Sequence, residues 1–335
     1  AKLRLLHYPP SPLISDSTFV RRIHLDLTGL LPKPMVVQSF LANDAVDKRS
    51  QLIDRLLDSP DYAKYWARKW GDLLRLSRKQ IGEGAVYKFA DWLEQSIAVN
   101  QPYDEFAHDL LTAKGSSLLN PEANFIRTTI NAEDAMESTS QLFLGSRIQC
   151  AKCHNHPFER WTQDNYYGLT AFFARIKTKQ LGESGETFVW NAKEGEVKHP
   201  VSGKHLPPWV PDTGTFELPP EKDRRQGFAE WLTKPGNPFF AKVEVNRIWA
   251  SLMGIGIVEP FDDFRDTNPP SNEPLLQALA KDFVESGFNR RDLIRKIVNS
   301  NAYQTSGESN EFNRDDTRFF SFRQPRRLEA EQLVD

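Results

Sequence analysis

A chain of 335 residues with 39% hydrophobic and 26% charged residues carries enough apolar material for two ordinary domains and too much for a disordered polymer. Its 43 basic and 45 acidic residues leave a formal net charge of −2, so no cationic excess draws phosphate backbones and nucleic acid is not expected as a main partner. No run of about 18 apolar residues predicts a membrane span, and two cysteines in the whole chain exclude a disulfide scaffold or an all-cysteine zinc site.

The dominant period is helical. The first four residues lead straight into proline-rich coil at 8–12 and show no signal peptide, which a mature chain would already have lost. Phe19, Ile23, Leu27 and Leu30 then share a face behind the cap residues Asp16 and Ser17. Leu52, Ile53, Leu56 and Leu57 repeat the stripe and stop at Ser59-Pro60; Trp66, Trp70, Leu73 and Ser77 form the next, and Trp92, Leu93 and Ile97 another. Phe106, Leu110 and Leu111 lead into a polar loop around Gly115-Ser116-Ser117. A longer helix over 132–144 buries Met136, Ser140 and Phe143. Another starts at Thr162-Gln163-Asp164, where Asp164 suits the positive end of the macrodipole, and runs through Tyr166, Leu169, Phe173 and Ile176.

Texture changes near Lys177. Residues 187–190 and 196–198 flank Ala192-Lys193-Glu194-Gly195 as a β-hairpin, and the proline-rich stretch 206–220 reads as a linker. Helices resume over 223–232, over 239–252 with Gly254 as the stop, over 273–286 ended by Gly287, and over 291–299. Residues 326–335 open one more amphipathic helix without a stop signal, as a piece of a longer protein would. The fold class is therefore mainly α, with irregular multi-helix domains and a small β-hairpin insert. Its expected divisions are 1–180, a hairpin and linker over 181–222, and a helical partner domain over 223–335.

The chemistry concentrates in Cys150-Ala151-Lys152-Cys153-His154. Two thiols at this spacing can add across the two vinyl groups of a haem, and the histidine that follows lies where its imidazole can bind iron as the proximal ligand. Three other readings compete. A thioredoxin-like dithiol wants a strand before the pair, whereas helices flank this one. A zinc or other metal site could use Cys150, Cys153, His154 and His156, though the two histidines are too close for a zinc finger. The last reading is two structural thiols beside a histidine by chance.

The run from Phe143-Leu144-Gly145-Ser146 through the pair to Asn155-His156-Pro157-Phe158-Glu159, continued by Arg160-Trp161-Thr162-Gln163-Asp164-Asn165-Tyr166-Tyr167-Gly168-Leu169, resembles the planctomycete cytochrome-C-like family of secreted proteins. Arg21-Arg22 with Leu25-Asp26-Leu27-Thr28-Gly29-Leu30 extend the likeness. Asn246-Arg247-Ile248-Trp249, Asp262-Asp263-Phe264-Arg265 and Arg326-Arg327-Leu328-Glu329-Ala330-Glu331 resemble the partner domain that usually follows. The resemblance implies a periplasmic or extracellular protein, further sequence C-terminal to this chain, and a separate cytochrome domain ahead of it.

On the haem reading, the second axial ligand decides between a carrier and an enzyme. His156 sits too near His154 in sequence to reach round the macrocycle and reads as a neighbour of the cofactor. His199 is the preferred second iron ligand, ahead of Met136, while His205 shares its irregular region and His24 and His108 fall within helices. Trp161, Phe158, Tyr166, Tyr167 and Phe172 are candidate pocket walls, although plain core packing explains each at least as well; Arg147 and Arg160 are candidate propionate partners, although a solvated face suits them better. Asp262, Asp263, Asp266 and Asn268 gather oxygen atoms, but turn chemistry suits them better than calcium.

Three functions follow. The first is an exported c-type haem protein exchanging electrons with a redox partner protein or other cytochromes. The second is a haem enzyme with an open distal position. The third is a structural module of a larger extracellular assembly with a Cys/His metal site.

Overall fold

The computed structural model describes residues 2–157, 159–182, 185–219, 221–330 and 332. It is mainly α, with helices from Lys2–Leu5 to Asn301–Gln304 and three small antiparallel sheets among the described residues. Side-chain chemistry sets many of the helix starts. Ser15, one residue ahead of the expected caps, accepts the Thr18 N–H and opens the helix Asp16–Thr28. Ser59-Pro60 ends the helix Lys48–Leu57 and also begins the next, because Ser59 caps Tyr62 N–H and Pro60 fits the first turn of Pro60–Leu73. Gly29 ends its helix at φ 74°, and a Cβ there would fall 2.6 Å from the Tyr65 ring, so only glycine both turns and fits.

The tryptophan-bearing helix Pro60–Leu73 packs on Asp16–Thr28 and on Glu83–Ala98, placing Trp70 edge-on to Phe106 at 4.9 Å. One hydrophobic cluster extends from Ile14 to Phe320, so residues before and after 181–222 share a core. The helix Arg224–Thr233 lies on Tyr103–Thr112, where the wholly buried Arg225 donates to the Leu111 and Ala113 carbonyls at 3.1 and 2.8 Å and pairs with Asp223 at 2.7 Å. In the helix Phe240–Met253, Phe240 stacks on Tyr103 at 4.6 Å and 13°.

Four expectations need correction. The helix begun at Thr162 runs only over Gln163–Thr170; Phe173 and Ile176 lie beyond it, and Ile176 starts a strand. The hairpin pairs Ile176–Leu181 with Glu186–Asn191, while Val197–Lys198 pairs with His205–Leu206, because cross-strand register outweighs the local turn signal at 192–195. The polar loop at 115–117 supplies the strand Gly115–Ser116 to the same sheet, using backbone groups that composition cannot reveal. Residues 326–329 are not helical, since Arg326 and Glu329 are drawn into ion pairs with Asp26 and Lys69; Glu331 and residues 333–335 of the expected helix lie outside the described residues.

Candidate functional site

The long helix expected over 132–144 forms as Ala132–Thr139, capped by Asn131 on the Asp134 N–H, and widens into a π-turn over Ser140–Leu144. Gly145, at φ 60°, then turns the chain toward the cysteines. They occupy a short 3₁₀ turn, Gln149–Lys152, with Cys150 inside it and Cys153 as its C-cap. The next helix, Gln163–Thr170, opens with a reciprocal capping box between Thr162 and Asn165, which satisfies two N–H groups at that end.

This helix anchors the turn. The Lys152 carbonyl accepts from the Gln163 side chain at 2.8 Å and from the Tyr167 hydroxyl at 3.3 Å. Asn155 Oδ1 accepts the Gln163 N–H at 3.0 Å, and the His156 N–H donates to the Trp161 carbonyl at 2.8 Å, closing the loop on itself. Lys152 reaches Glu133 at 2.7 Å, and that hydrogen bond raises its ammonium pKa. Burial, then the Glu133 charge, pushes the Tyr167 hydroxyl up, and burial with the 2.5 Å bond to Glu137 does the same to Tyr166. Both phenols are therefore held as protonated donors around the turn.

Cys150 and Cys153 are free thiols and exposed. His154 is exposed as well, and its Nδ1 lies 2.8 Å from the Asn155 carbonyl. A carbonyl can only accept, so Nδ1 carries the hydrogen and the Nε2 lone pair is left without a partner among the described residues. That is the tautomer and second-sphere contact of an imidazole that ligates metal through Nε2. The donor set thus fits a covalently attached haem. The attachment atoms stand on the surface: the cleft of about 400 Å³ lined by the preceding Gln149 is not lined by Cys150, Cys153 or His154.

The other candidates are placed as follows. Trp161 is 5% exposed, edge-on to Trp209 at 6.5 Å and covered by Arg160 at 5.7 Å, so it moors the loop to the core. His156 is half-buried in that loop. His199 is brought one helix away from the cysteines, edge-on to Tyr167 at 6.2 Å. Its Nδ1 accepts the Val201 and Ser202 N–H groups at 3.2 Å, which leaves the hydrogen on Nε2, 3.6 Å from Asp164. Met136 is 1% exposed, with its sulfur 3.5 Å from the Ser140 hydroxyl. His24 is buried on the Val20 carbonyl, His108 is half-buried and His205 is exposed. Phe172 packs with Phe216 and Phe228, and Phe158 lies outside the described residues.

Arg147 pairs with Asp262 at 2.5 Å, a hydrogen bond that raises its pKa. Asp263 pairs with Arg265 at 2.8 Å, and Asn268 donates to the Glu259 and Asp263 carbonyls at 3.1 and 2.9 Å, as turn chemistry requires. Among the described residues no group of three His, Cys, Asp or Glu side chains is gathered to hold a metal ion.

What sequence reasoning missed is the cluster at Asp26, a carboxylate 3% exposed within the otherwise apolar Leu25-Asp26-Leu27. It accepts the Tyr303 hydroxyl at 2.8 Å and pairs with Arg323 at 3.2 Å and with Arg326. The available signal was an acid inside a buried stripe, which needs partners from elsewhere. Asn246 is likewise internal: it receives the Ile257 and Val258 N–H groups at 2.7 and 3.0 Å and donates to the Val258 and Phe261 carbonyls at 2.8 and 3.1 Å.

Comparison with known proteins places these features. The family model described as PSD1, protein of unknown function (DUF1553), matches residues 224–335. No curated protein and no solved structure matches the chain. The model described as PSCyt2, protein of unknown function (DUF1549), matches residues 1–178, a stretch that holds the cysteine–histidine turn, its anchoring helix and Asp26. With more than half of its length matched by that model, the chain belongs to the PSCyt2 (DUF1549) family.

Proposed function

We propose that this is an exported c-type haem protein, periplasmic or extracellular, that carries one haem on Cys150 and Cys153 and exchanges electrons with a redox partner protein or another cytochrome. The observation that carries the reading is the preset state of His154. Its Nδ1 hydrogen is committed to the Asn155 carbonyl and its Nε2 is unpartnered, beside two exposed free thiols on one turn of chain. When bound, the haem supplies a one-electron iron couple. The chain's part is to fix the axial imidazole and to hold the attachment turn through Gln163 and Tyr167.

The chain, made in a host with c-type haem maturation, is expected to keep its haem through acid–acetone extraction and to give a thioether-type pyridine haemochrome spectrum. Cys150→Ala with Cys153→Ala should lose the covalent pigment, and His154→Ala should alter the axial-ligand bands. Protein that matures in parallel with a control cytochrome and carries no pigment would sink the proposal.

A second reading, a haem enzyme with an open distal position, is favoured by one observation. His199 has its hydrogen on Nε2, and Met136 is enclosed in the core, so neither presents a free donor toward the turn. Rapid carbon monoxide binding to the reduced protein would support it, and a spectrum unchanged by carbon monoxide would remove it.

A further inference from the structure

Residues 17–26 and 323–328 take no part in the cysteine–histidine turn, yet side chains of both segments line a cleft of about 420 Å³. Four arginines line it: Arg21 and Arg22 on the helix Asp16–Thr28, Arg323 and Arg326 on the segment opposite. Asp26 is the one carboxylate in that lining, and Tyr303, Arg323 and Arg326 already occupy it. Arg22 donates through one amino group to the Tyr303 and Thr305 carbonyls at 2.7 and 2.9 Å, which satisfies hydrogen bonds and neutralises no charge. Arg21 is exposed and has no ion-pair partner among the described residues. Burial, then the like charge of Arg323, pushes the Arg22 guanidinium below its ordinary value. Four guanidinium groups face one carboxylate, and three of them, Arg22, Arg323 and Arg326, are partly withdrawn from water, which makes an unbalanced set. Guanidinium forks match the oxygen edges of planar and tetrahedral oxyanions, and Thr18 adds a hydroxyl to the lining.

We propose that this cleft binds an oxyanion group of a ligand, a sulfate, phosphate or carboxylate, between Arg21 and Arg22 on one wall and Arg323 and Arg326 on the other. The site is independent of the cysteine–histidine turn and of any cofactor there.

The test is calorimetric titration and thermal unfolding of the chain with sodium sulfate, phosphate or succinate, against sodium chloride at matched ionic strength. At least one oxyanion is expected to bind saturably and raise the unfolding midpoint beyond chloride. A response to sulfate or phosphate supports the site and assigns a tetrahedral ester-type group; a response to succinate supports it and assigns a carboxylate. Arg21→Ala, at an exposed position, should weaken the affinity about tenfold with the ligand-free midpoint unchanged. Arg21→Lys, which keeps the charge and loses the fork, should fall between, and Arg78→Ala on another face should bind as the parent does. Midpoints that follow chloride for all three oxyanions, or undiminished binding by Arg21→Ala, would overturn the proposal.

Discussion

The turn at Cys150–Cys153 and the cluster at Asp26 both concentrate polar chemistry, and they are built in opposite ways. The turn exposes its two thiols and its imidazole and is held mainly from behind, by bonds to the Lys152 carbonyl, Asn155 and the His156 N–H. The two thiols and His154 Nε2 are left available. Around Asp26 the carboxylate, Tyr303 and Arg323 are almost wholly buried, and each depends on the others for its partner. Charge withdrawn from water stabilises only while it stays paired, whereas an exposed donor can be removed at little cost. The same chain therefore separates a region suited to attachment chemistry from one on which its folding depends.

The sharpest way to break that contrast is Asp26→Ala. It strands Arg323 and Arg326 beside a buried phenol and is expected to cost about 3–5 kcal/mol, read from urea unfolding. A loss below about 1 kcal/mol would mean that water already compensates the cluster.

Acid should act on the same region. Asp316 organises the loop that delivers Arg323, accepting N–H bonds from Arg318, Phe319 and Ser321 and the Ser321 hydroxyl at 2.5 Å. Burial raises its pKa, but these bonds outweigh burial and hold the folded value below the ordinary 3.8. Its contribution is thus present above the unfolded value and is lost as pH falls below about 3.8 toward the folded one. Asp316→Asn should cost about 1–3 kcal/mol at neutral pH, with a gap to the parent that closes as the pH is lowered through that window. A gap independent of pH would assign the effect to packing.

Smaller effects probe the turn. Thr162→Ala removes half of the capping box and should cost about 1 kcal/mol, with faster amide exchange at Asn165, whose N–H the Thr162 hydroxyl accepts. In haem-free protein, Cys150→Ala with Cys153→Ala should change stability by no more than about 0.5 kcal/mol. A larger loss there would show that the thiols serve the fold, and the contrast between the two regions would fail.

The mainly α class was legible in the order of residues, because apolar residues at helical spacing can be buried together only on one face of a helix. That order also determined several helix ends, since Asp223, Gly254 and Thr162 act on N–H or C=O groups within a few residues of themselves. The attachment segment was legible for the same reason: its spacing and the following histidine are local facts. What the tertiary structure alone decided was long-range pairing. The partner of Glu186–Asn191 is split between Gly115–Ser116 and Ile176–Leu181, and no local pattern selects among such strands. The tautomer of His154 depends on where the Asn155 carbonyl points, and that of His199 on two backbone N–H groups of its own turn. Asp26 meets Arg323 and Arg326 across almost 300 residues of chain, at separations of 297 and 300. A buried carboxylate in a sequence announces that partners are needed, and only the folded chain says which they are.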